Sequence, residues 1–198
     1  WLQSAGAQVV PIQWDLPFSQ IDYLLDRLNG VVFTGGNIRV SRDGVPTPNY
    51  RAFEHINVYI LKKNQGSNYY PLWGTCMGFW NIARVSAGKM NVLTPCTNCI
   101  YARRNIYPEP SYKSKMLRDI PQDLRQKMEK DRLSVFLHKD MITPQTFQKN
   151  SKLSQYLTPV AYSYDAAGKK YVSMAEGSRY PIYATQFHPE KPEFEGKD

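Results

Sequence analysis

Long hydrophobic runs are missing from this chain of 198 residues. No segment approaches the roughly 18 consecutive apolar residues of a transmembrane helix, so the sequence predicts no membrane span. There is no internal repeat, no low-complexity segment and no Asn-x-Ser/Thr site for glycosylation. No signal peptide is visible, but the chain begins at Trp1 rather than Met, so its start says little about targeting. The composition still predicts a globular domain, because 42% of the residues are hydrophobic.

Acidic residues are in the minority, with 17 of them against 25 lysines and arginines and a formal net charge of +8. The basic residues are scattered, with only short pairs such as Lys62-Lys63, Arg103-Arg104 and Lys169-Lys170. No arginine-rich arm, zinc-finger spacing or aromatic RNA-binding motif accompanies them, so no nucleic acid is expected as a partner. A basic surface would still attract other polyanions.

Cysteine is also scarce, and three cysteines are too few for a disulfide scaffold. Two of them, Cys96 and Cys99, form a CxxC pair, which is typical of a redox pair or of half a metal site. A zinc site needs further ligands, and the histidines at positions 55, 138 and 188 show no matching spacing. The sequence therefore favours chance adjacency or a local disulfide here, and it predicts no metal and no other cofactor.

Strand and helix patterns alternate through the first half of the chain. The predicted strands are residues 7–12, 31–36 and 69–76, and the predicted helices are residues 19–30, 49–66 and 78–88. Ser19 and Asp22 have the spacing of a capping box at the start of the first helix. Such alternation is typical of parallel β-α-β units. The predicted fold is therefore α/β with three layers, in which a mostly parallel central sheet carries helices on both faces.

The second half has a less regular pattern. A polar helix is predicted for residues 121–133, a strand for residues 134–141 and a mixed segment for residues 145–157. Beyond these, strands are predicted on either side of turns at Ala167-Gly168 and Gly177-Ser178, with a final strand over residues 181–187.

The stretch Gly74-Thr75-Cys76-Met77-Gly78 has the form of a nucleophile elbow, a sharp strand-to-helix turn that lifts one side chain out of the sheet. Flanking glycines suit such a turn because it leaves no room for Cβ atoms. The Cys76 thiol would lie at a helix N-terminus, where the helix dipole favours a thiolate. The backbone N–H of Met77 would point at a developing oxyanion.

A thiolate nucleophile needs a base, and His188-Pro189-Glu190 can supply one together with the group that orients it. Proline favours an extended His188, and residues two apart in an extended chain face the same side. The Glu190 carboxylate would then accept the Nδ1 proton of His188 and leave Nε2 facing Cys76. A second oxyanion donor is available in the glycines that follow a predicted strand, Gly35 and Gly36.

With these motifs in order, the chain resembles the γ-glutamyl hydrolase family of the class I glutamine amidotransferase-like superfamily, whose fold is flavodoxin-like. The resemblance covers nearly the whole chain, and it is carried by VVFTGGN, YYPLWGTCMGFW, FLHKDM and MAEGSRYPIYATQFHPEKPEFE. It implies a cysteine hydrolase that removes γ-linked glutamates from folate polyglutamates through a thioester. Cys76, His188 and Glu190 would form the triad. Gly35, Gly36 and Met77 would surround the oxyanion, and His138 and Trp80 would lie at the substrate cleft.

Further expectations follow from the same resemblance. The whole chain, residues 1–198, would be a single domain that lacks the family's first strand and C-terminal helix. The family's compartments are the lysosome, the vacuole or the outside of the cell, and the expected assemblies are a homodimer or a larger complex. The family usually has glutamate where this chain has Trp80. Two alternatives stay open: a catalytically degenerate relative kept as a structural or binding subunit, and a glutaminase subunit of an amidotransferase.

Overall fold

The structure is a computed structural model that describes residues 1–66 and 68–191. Its helices are α1 (Phe18–Leu25), α2 (Pro48–Lys63), α3 (Met77–Ala87), α4 (Gln122–Lys130), α5 (Pro144–Gln148) and α6 (Ser151–Tyr156). Its strands are β1 (Val31–Phe33), β2 (Ser41–Arg42), β3 (Val45–Pro46), β4 (Leu72–Thr75), β5 (Thr94–Pro95), β6 (Ile100–Arg104), β7 (Tyr107–Pro108), β8 (Ser134–Leu137), β9 (Asp140–Met141), β10 (Leu157–Tyr164), β11 (Lys170–Gly177) and β12 (Ile182–Thr185). Within the two described ranges, no helix has both the length and the hydropathy needed to cross a membrane.

Six of the strands form one sheet, in the order β1-β4-β12-β11-β10-β7. Strand β4 lies between β1 and β12 and is parallel to both, with Gly74 opposite Phe33 on one side and Ala184 on the other. The other three pairs are antiparallel, so the sheet is mixed, and the expectation of a mostly parallel sheet is wrong in this respect. The cause is the length of the connections: residues 165–169 and 178–181 are too few for a crossover, and the strands that they join must reverse direction.

Two hydrophobic clusters cover the two faces of this sheet. Successive residues of β11 belong to different clusters, because Met174 belongs to the second cluster and Ala175 belongs to the first. The first cluster buries residues from α1, α2, α3, α5 and α6, and the second receives the loop before α4 together with Met128 of α4. The expected α/β class with helices on both faces is therefore confirmed.

Most of the predicted elements form, but their ends differ by a few residues from the prediction. Examples are α2, β4, α3 and α4. The predicted strand over residues 134–141 is divided into β8 and β9, and the mixed segment contains α5 and α6. Helix α1 differs from its prediction, because it begins after Pro17 and ends at Leu25, well before Asn29-Gly30. The capping box is therefore wrong: Ser19 lies inside the helix, and no side chain caps the helix start.

The predicted strand at residues 7–12 does not form. Val9 and Val10 are neighbours in sequence, yet their exposed fractions are 44% and 45%, so neither packs into the core. Pro11 has no N–H to donate to a ladder. An apolar run of this length is a strand only where a neighbouring strand pairs with it, and the only partner that β1 has in the described sheet is β4.

Candidate active site

Cys76 lies between β4 and α3, at the edge of the sheet where the two parallel pairs end. Its φ of 52° and ψ of −105° are unusual for a residue with a side chain, as expected for a nucleophile elbow. The Cys76 amide donates to the carbonyl oxygen of Thr185 at 2.8 Å, which ties the elbow to the end of β12. Strained backbone of this kind is found where a side chain must be held in one position for chemistry.

The two glycines that flank Cys76 are required by close packing. A Cβ atom on Gly78 would lie 2.2 Å from the carbonyl oxygen of Phe33 in β1, and one on Gly74 would lie 2.6 Å from Cδ1 of Ile82. Neither glycine has a positive φ. The expectation that these positions leave no room for a Cβ is therefore confirmed, and the cause is the close approach of α3 to β1 and β4.

His188 and Glu190 form a pair beside the elbow. Nδ1 of His188 is 2.7 Å from Oε1 of Glu190, and the His188 side chain is almost completely buried. Nε2 of His188 is buried without a nitrogen or oxygen partner among the described residues, and the His188 imidazole interacts with the Cys76 side chain. The structure therefore brings the thiol, the imidazole and the carboxylate together in the order that the sequence predicts.

The electrostatics of this group favour a charged imidazole. Burial alone would lower the pKa of His188, but the contacts with Cys76 and Glu190 outweigh it and raise the pKa to about 9. Burial would raise the pKa of Glu190, yet the hydrogen bond from His188 lowers it overall. An imidazole that keeps its proton at neutral pH can deliver that proton to a leaving group.

The loop after β1 packs directly against these side chains. A Cβ atom on Gly35 would lie 2.6 Å from Cε1 of His188 and 3.6 Å from Cβ of Cys76, and one on Gly36 would lie 3.2 Å from Cε of Met77. The Met77 amide lies in the first turn of α3, where no earlier carbonyl of the helix accepts from it. Gly35 therefore lies against His188 and Cys76, and Gly36 lies against the Met77 side chain.

His138 lies near His188 and is only 3% exposed. Its Nδ1 is 2.8 Å from the carbonyl oxygen of Asp140, and its Nε2 is buried without a partner among the described residues. Burial lowers its pKa to about 4, so the imidazole is neutral at physiological pH. The preceding residue approaches the nucleophile, since the carbonyl oxygen of Leu137 is 3.9 Å from Sγ of Cys76.

Trp80 is half-buried and lies on α3, one turn after Cys76. Its indole is held in place by a residue that the sequence analysis did not identify. Its indole N–H donates to Oε1 of Gln186 at 2.6 Å, and its ring meets His138 edge-on with the centroids 6.4 Å apart. Gln186 is fully buried between the end of β12 and His188. The sequence carries one signal for this role, because Gln186 is a polar residue in the otherwise mostly apolar segment before His188. Cys76 is 2% exposed.

The other two cysteines are joined to each other. Cys96 and Cys99 form a disulfide, so the expected local disulfide is confirmed, and Cys76 is the free cysteine of the chain. The motif residues beyond Lys191, in the stretch PEFE, lie outside the described residues.

Comparison with known proteins identifies the family of this chain. The family model for class I glutamine amidotransferases matches residues 2–197, so the chain belongs to that family. γ-Glutamyl hydrolase of Rattus norvegicus is 33% identical over 199 residues, which cover 100% of this chain and 60% of that protein. γ-Glutamyl hydrolase B of Dictyostelium discoideum is 30% identical over 191 residues, 96% of this chain and 54% of that protein. The chain thus spans little more than half the length of these relatives.

A solved structure also shares the fold. A protein from Thermoplasma acidophilum described as a subunit of GMP synthase superposes with a TM-score of 0.60 at 21% identity. The superposition covers 96% of this chain and 75% of that chain, and it supports the fold alone.

Proposed function

We propose that the chain is a cysteine hydrolase that cleaves γ-glutamyl bonds. The observation that carries the proposal is the 2.7 Å contact between His188 and Glu190, with the imidazole placed against Cys76 at the elbow. The curated relatives described above are named γ-glutamyl hydrolase, which supports the same bond type.

In the proposed reaction, the Cys76 thiolate attacks the carbonyl carbon of the γ-amide. The N–H groups of Gly36 and Met77 stabilise the resulting oxyanion. The C–N bond breaks as the His188 imidazolium gives its proton to the leaving amine, and a thioester remains on Cys76. His188, now neutral, removes a proton from water, and the hydroxide attacks the thioester and releases the Cys76 thiolate.

The proposed substrate is an oligomer of γ-linked glutamates on a pteroate or similar head group, as in folate polyglutamates. Each residue of such a tail carries about one carboxylate at neutral pH, and the net charge of +8 favours its approach. A cavity of about 690 Å³ beside the β2–β3 hairpin is lined by Arg39 and Arg42 and by one carboxylate, Asp43. Because Arg39 follows Gly36 closely in the chain, this cavity is the proposed site for the glutamate tail.

Glu190→Gln is expected to move the alkaline limb of the pH profile of kcat/KM. The raised pKa of His188 keeps the imidazolium, the proton donor of the first step, until the pH rises through about 9. Without the carboxylate this pKa falls, so activity is lost on the order of one pH unit closer to neutrality. Steady-state kinetics on a γ-glutamyl substrate between pH 5 and pH 10 measure the limb.

Asp123→Asn removes an exposed carboxylate on α4 and serves as the matched control, with an unchanged profile. An alkaline limb that stays in place in Glu190→Gln contradicts the role assigned to Glu190.

The burial of Cys76 favours a second candidate, a catalytically degenerate relative that has kept the fold as a structural or binding subunit. Trp80 lies on α3 one turn after Cys76, and its indole is held by Gln186. Under this alternative the indole closes the site, and the isolated protein has no γ-glutamyl hydrolase activity.

Trp80→Glu separates the two candidates. We expect the unmodified protein to be active, and the substitution to change its preference between substrates with a free and an acylated α-amino group about tenfold. That factor corresponds to one moderate polar contact of about 1.4 kcal/mol. Competing hydrolysis of the two substrates, followed by chromatography, measures the preference.

Trp80→Phe is the matched control, because it keeps an aromatic ring and removes the N–H that binds Gln186; its preference should stay that of the unmodified protein. An inactive unmodified protein that gains hydrolysis in Trp80→Glu would favour the degenerate relative. Turnover of free glutamine in preference to γ-glutamyl peptides would favour the glutaminase alternative.

A further inference from the structure

Cys96, Cys99 and His138 form a compact group, here called the sulfur–imidazole cluster, that the proposed hydrolysis does not use as a unit. The two Sγ atoms and a ring nitrogen of His138 all lie within 4.8 Å of one another. Cys99 is 1% exposed and His138 is 3% exposed. Two backbone bonds fix the cluster: the Cys96 amide donates to Lys139 at 2.8 Å, and the His138 amide donates to Cys99 at 3.1 Å.

One ring nitrogen of His138 carries a proton, and the other has a lone pair that is not used in a hydrogen bond among the described residues. The carbonyl oxygen of Asp140 can only accept a hydrogen bond, so Nδ1 carries the proton and Nε2 has a lone pair. This Nε2 atom is buried and has no hydrogen-bond partner in the described part of the chain. Histidine ligands of metals have this arrangement, in which one nitrogen donates to a backbone carbonyl and the other binds the ion. A buried imidazole with an unpartnered lone pair, in a group with two sulfurs, is therefore a feature that calls for a ligand.

We propose that the reduced sulfur–imidazole cluster is a binding site for a soft divalent cation such as Zn²⁺. Two thiolates and one imidazole are a ligand set that zinc prefers, and water can complete a tetrahedral site. With bonds of about 2.3 Å to sulfur and about 2.0 Å to nitrogen, the ligand atoms of such a site lie roughly 3.5 to 3.8 Å apart. The cluster reaches this spacing by small side-chain rotations once the S–S bond is open.

The proposed site forms only when the disulfide between Cys96 and Cys99 is reduced. As long as Cys96 and Cys99 are bonded to each other, neither sulfur is a thiolate. A dithiol reductant supplies two electrons and two protons, breaks the S–S bond and becomes a disulfide itself. Binding of the cation then releases the two thiol protons to solvent.

The loop between the two cysteines is tied to β6, because the guanidinium group of Arg104 donates to the carbonyl oxygen of Asn98 at 2.7 Å. The cluster also adjoins the candidate active site, because Leu137, whose carbonyl oxygen approaches Cys76, precedes His138.

Titration with Co²⁺ tests the proposal without any measurement of turnover, so the result does not depend on the proposed function. The full chain is prepared oxidised, and also reduced with a phosphine that leaves the metal free. We expect the reduced protein to bind a single Co²⁺ with a thiolate charge-transfer band and the strong visible bands of a tetrahedral site. The oxidised protein should show neither band, and Zn²⁺ should remove both from the reduced protein.

Three variants assign the ligands in the reduced state. Cys99→Ser and His138→Gln should each weaken Co²⁺ binding at least about 100-fold, since loss of even an outer partner of a metal ligand costs up to that factor. Cys76→Ser is the control and should bind Co²⁺ like the unmodified protein. Absence of a charge-transfer band in the reduced unmodified protein overturns the proposal, whatever the folding of the variants. A band that disappears only in Cys76→Ser also overturns it.

Discussion

Cys76→Ala is expected to lower kcat on a γ-glutamyl substrate by about 10⁴-fold or more, the scale on which hydrolases lose activity without their nucleophile. The expectation follows from the position of Cys76, because the elbow places Sγ beside His188 and the Leu137 carbonyl. Steady-state kinetics give the rate, and mass spectrometry of protein quenched during turnover should detect an acyl group on Cys76 of the unmodified protein alone.

Ser86→Ala is a suitable control, because Ser86 lies on the same helix and its hydroxyl donates to the Ile82 carbonyl, one turn earlier. It should keep full activity and carry the acyl group. If Cys76→Ala retains a rate within tenfold of the unmodified protein, Cys76 is not the nucleophile. If its free energy of unfolding falls enough to leave it unfolded in the assay, the lost activity reflects the fold rather than the chemistry.

Gly78→Ala is expected to lower the free energy of unfolding by about 3 kcal/mol or more, at the upper end of the cost of overpacking. Its new Cβ would lie 2.2 Å from the oxygen and 2.8 Å from the carbonyl carbon of Phe33, both of them backbone atoms. No side-chain rotation relieves such a contact, so α3 and β1 must move apart. Urea unfolding followed by tryptophan fluorescence measures the loss.

Gly66→Ala makes the same chemical change in open space, since no heavy atom of another described residue, apart from its chain neighbours, lies within 4 Å of its Cβ position. Its free energy of unfolding should stay within about 0.5 kcal/mol of that of the unmodified protein. Equal effects at the two glycines would mean that the approach of α3 to β1 is looser than described.

The sequence predicts the elbow and the His188-Glu190 pair well because both are local. Five consecutive residues define the turn around Cys76, and an extended His-Pro-Glu places the imidazole and the carboxylate on one side. The strands that carry them, β4 and β12, end in the motifs themselves. Short-range geometry therefore determines most of the candidate site, and the resemblance to a known family adds the roles of its members.

Features that depend on contacts between distant segments could not be predicted. The CxxC pair meets His138 because β5 pairs with β9 and β6 pairs with β8, and no spacing of residues in the sequence reveals such pairings. The strand expected at residues 7–12 does not form for the same reason, because a short apolar segment becomes a strand only where another strand pairs with it. The contact between Trp80 and Gln186 likewise depends on the placement of α3 against β12.

The register of two neighbouring strands sets the distance between the nucleophile and its base. Thr75 pairs with Thr185, the Cys76 amide is bonded to Thr185, and His188 follows three residues later. Of the long path of chain from α3 to β12, strand β8 supports this spacing, because the His188 amide donates to the carbonyl oxygen of Val135 at 2.9 Å. Insertions and deletions in the loops of that path, outside β8, can therefore accumulate without separating Cys76 from His188, and new substrate pockets can evolve around an unchanged reactive pair.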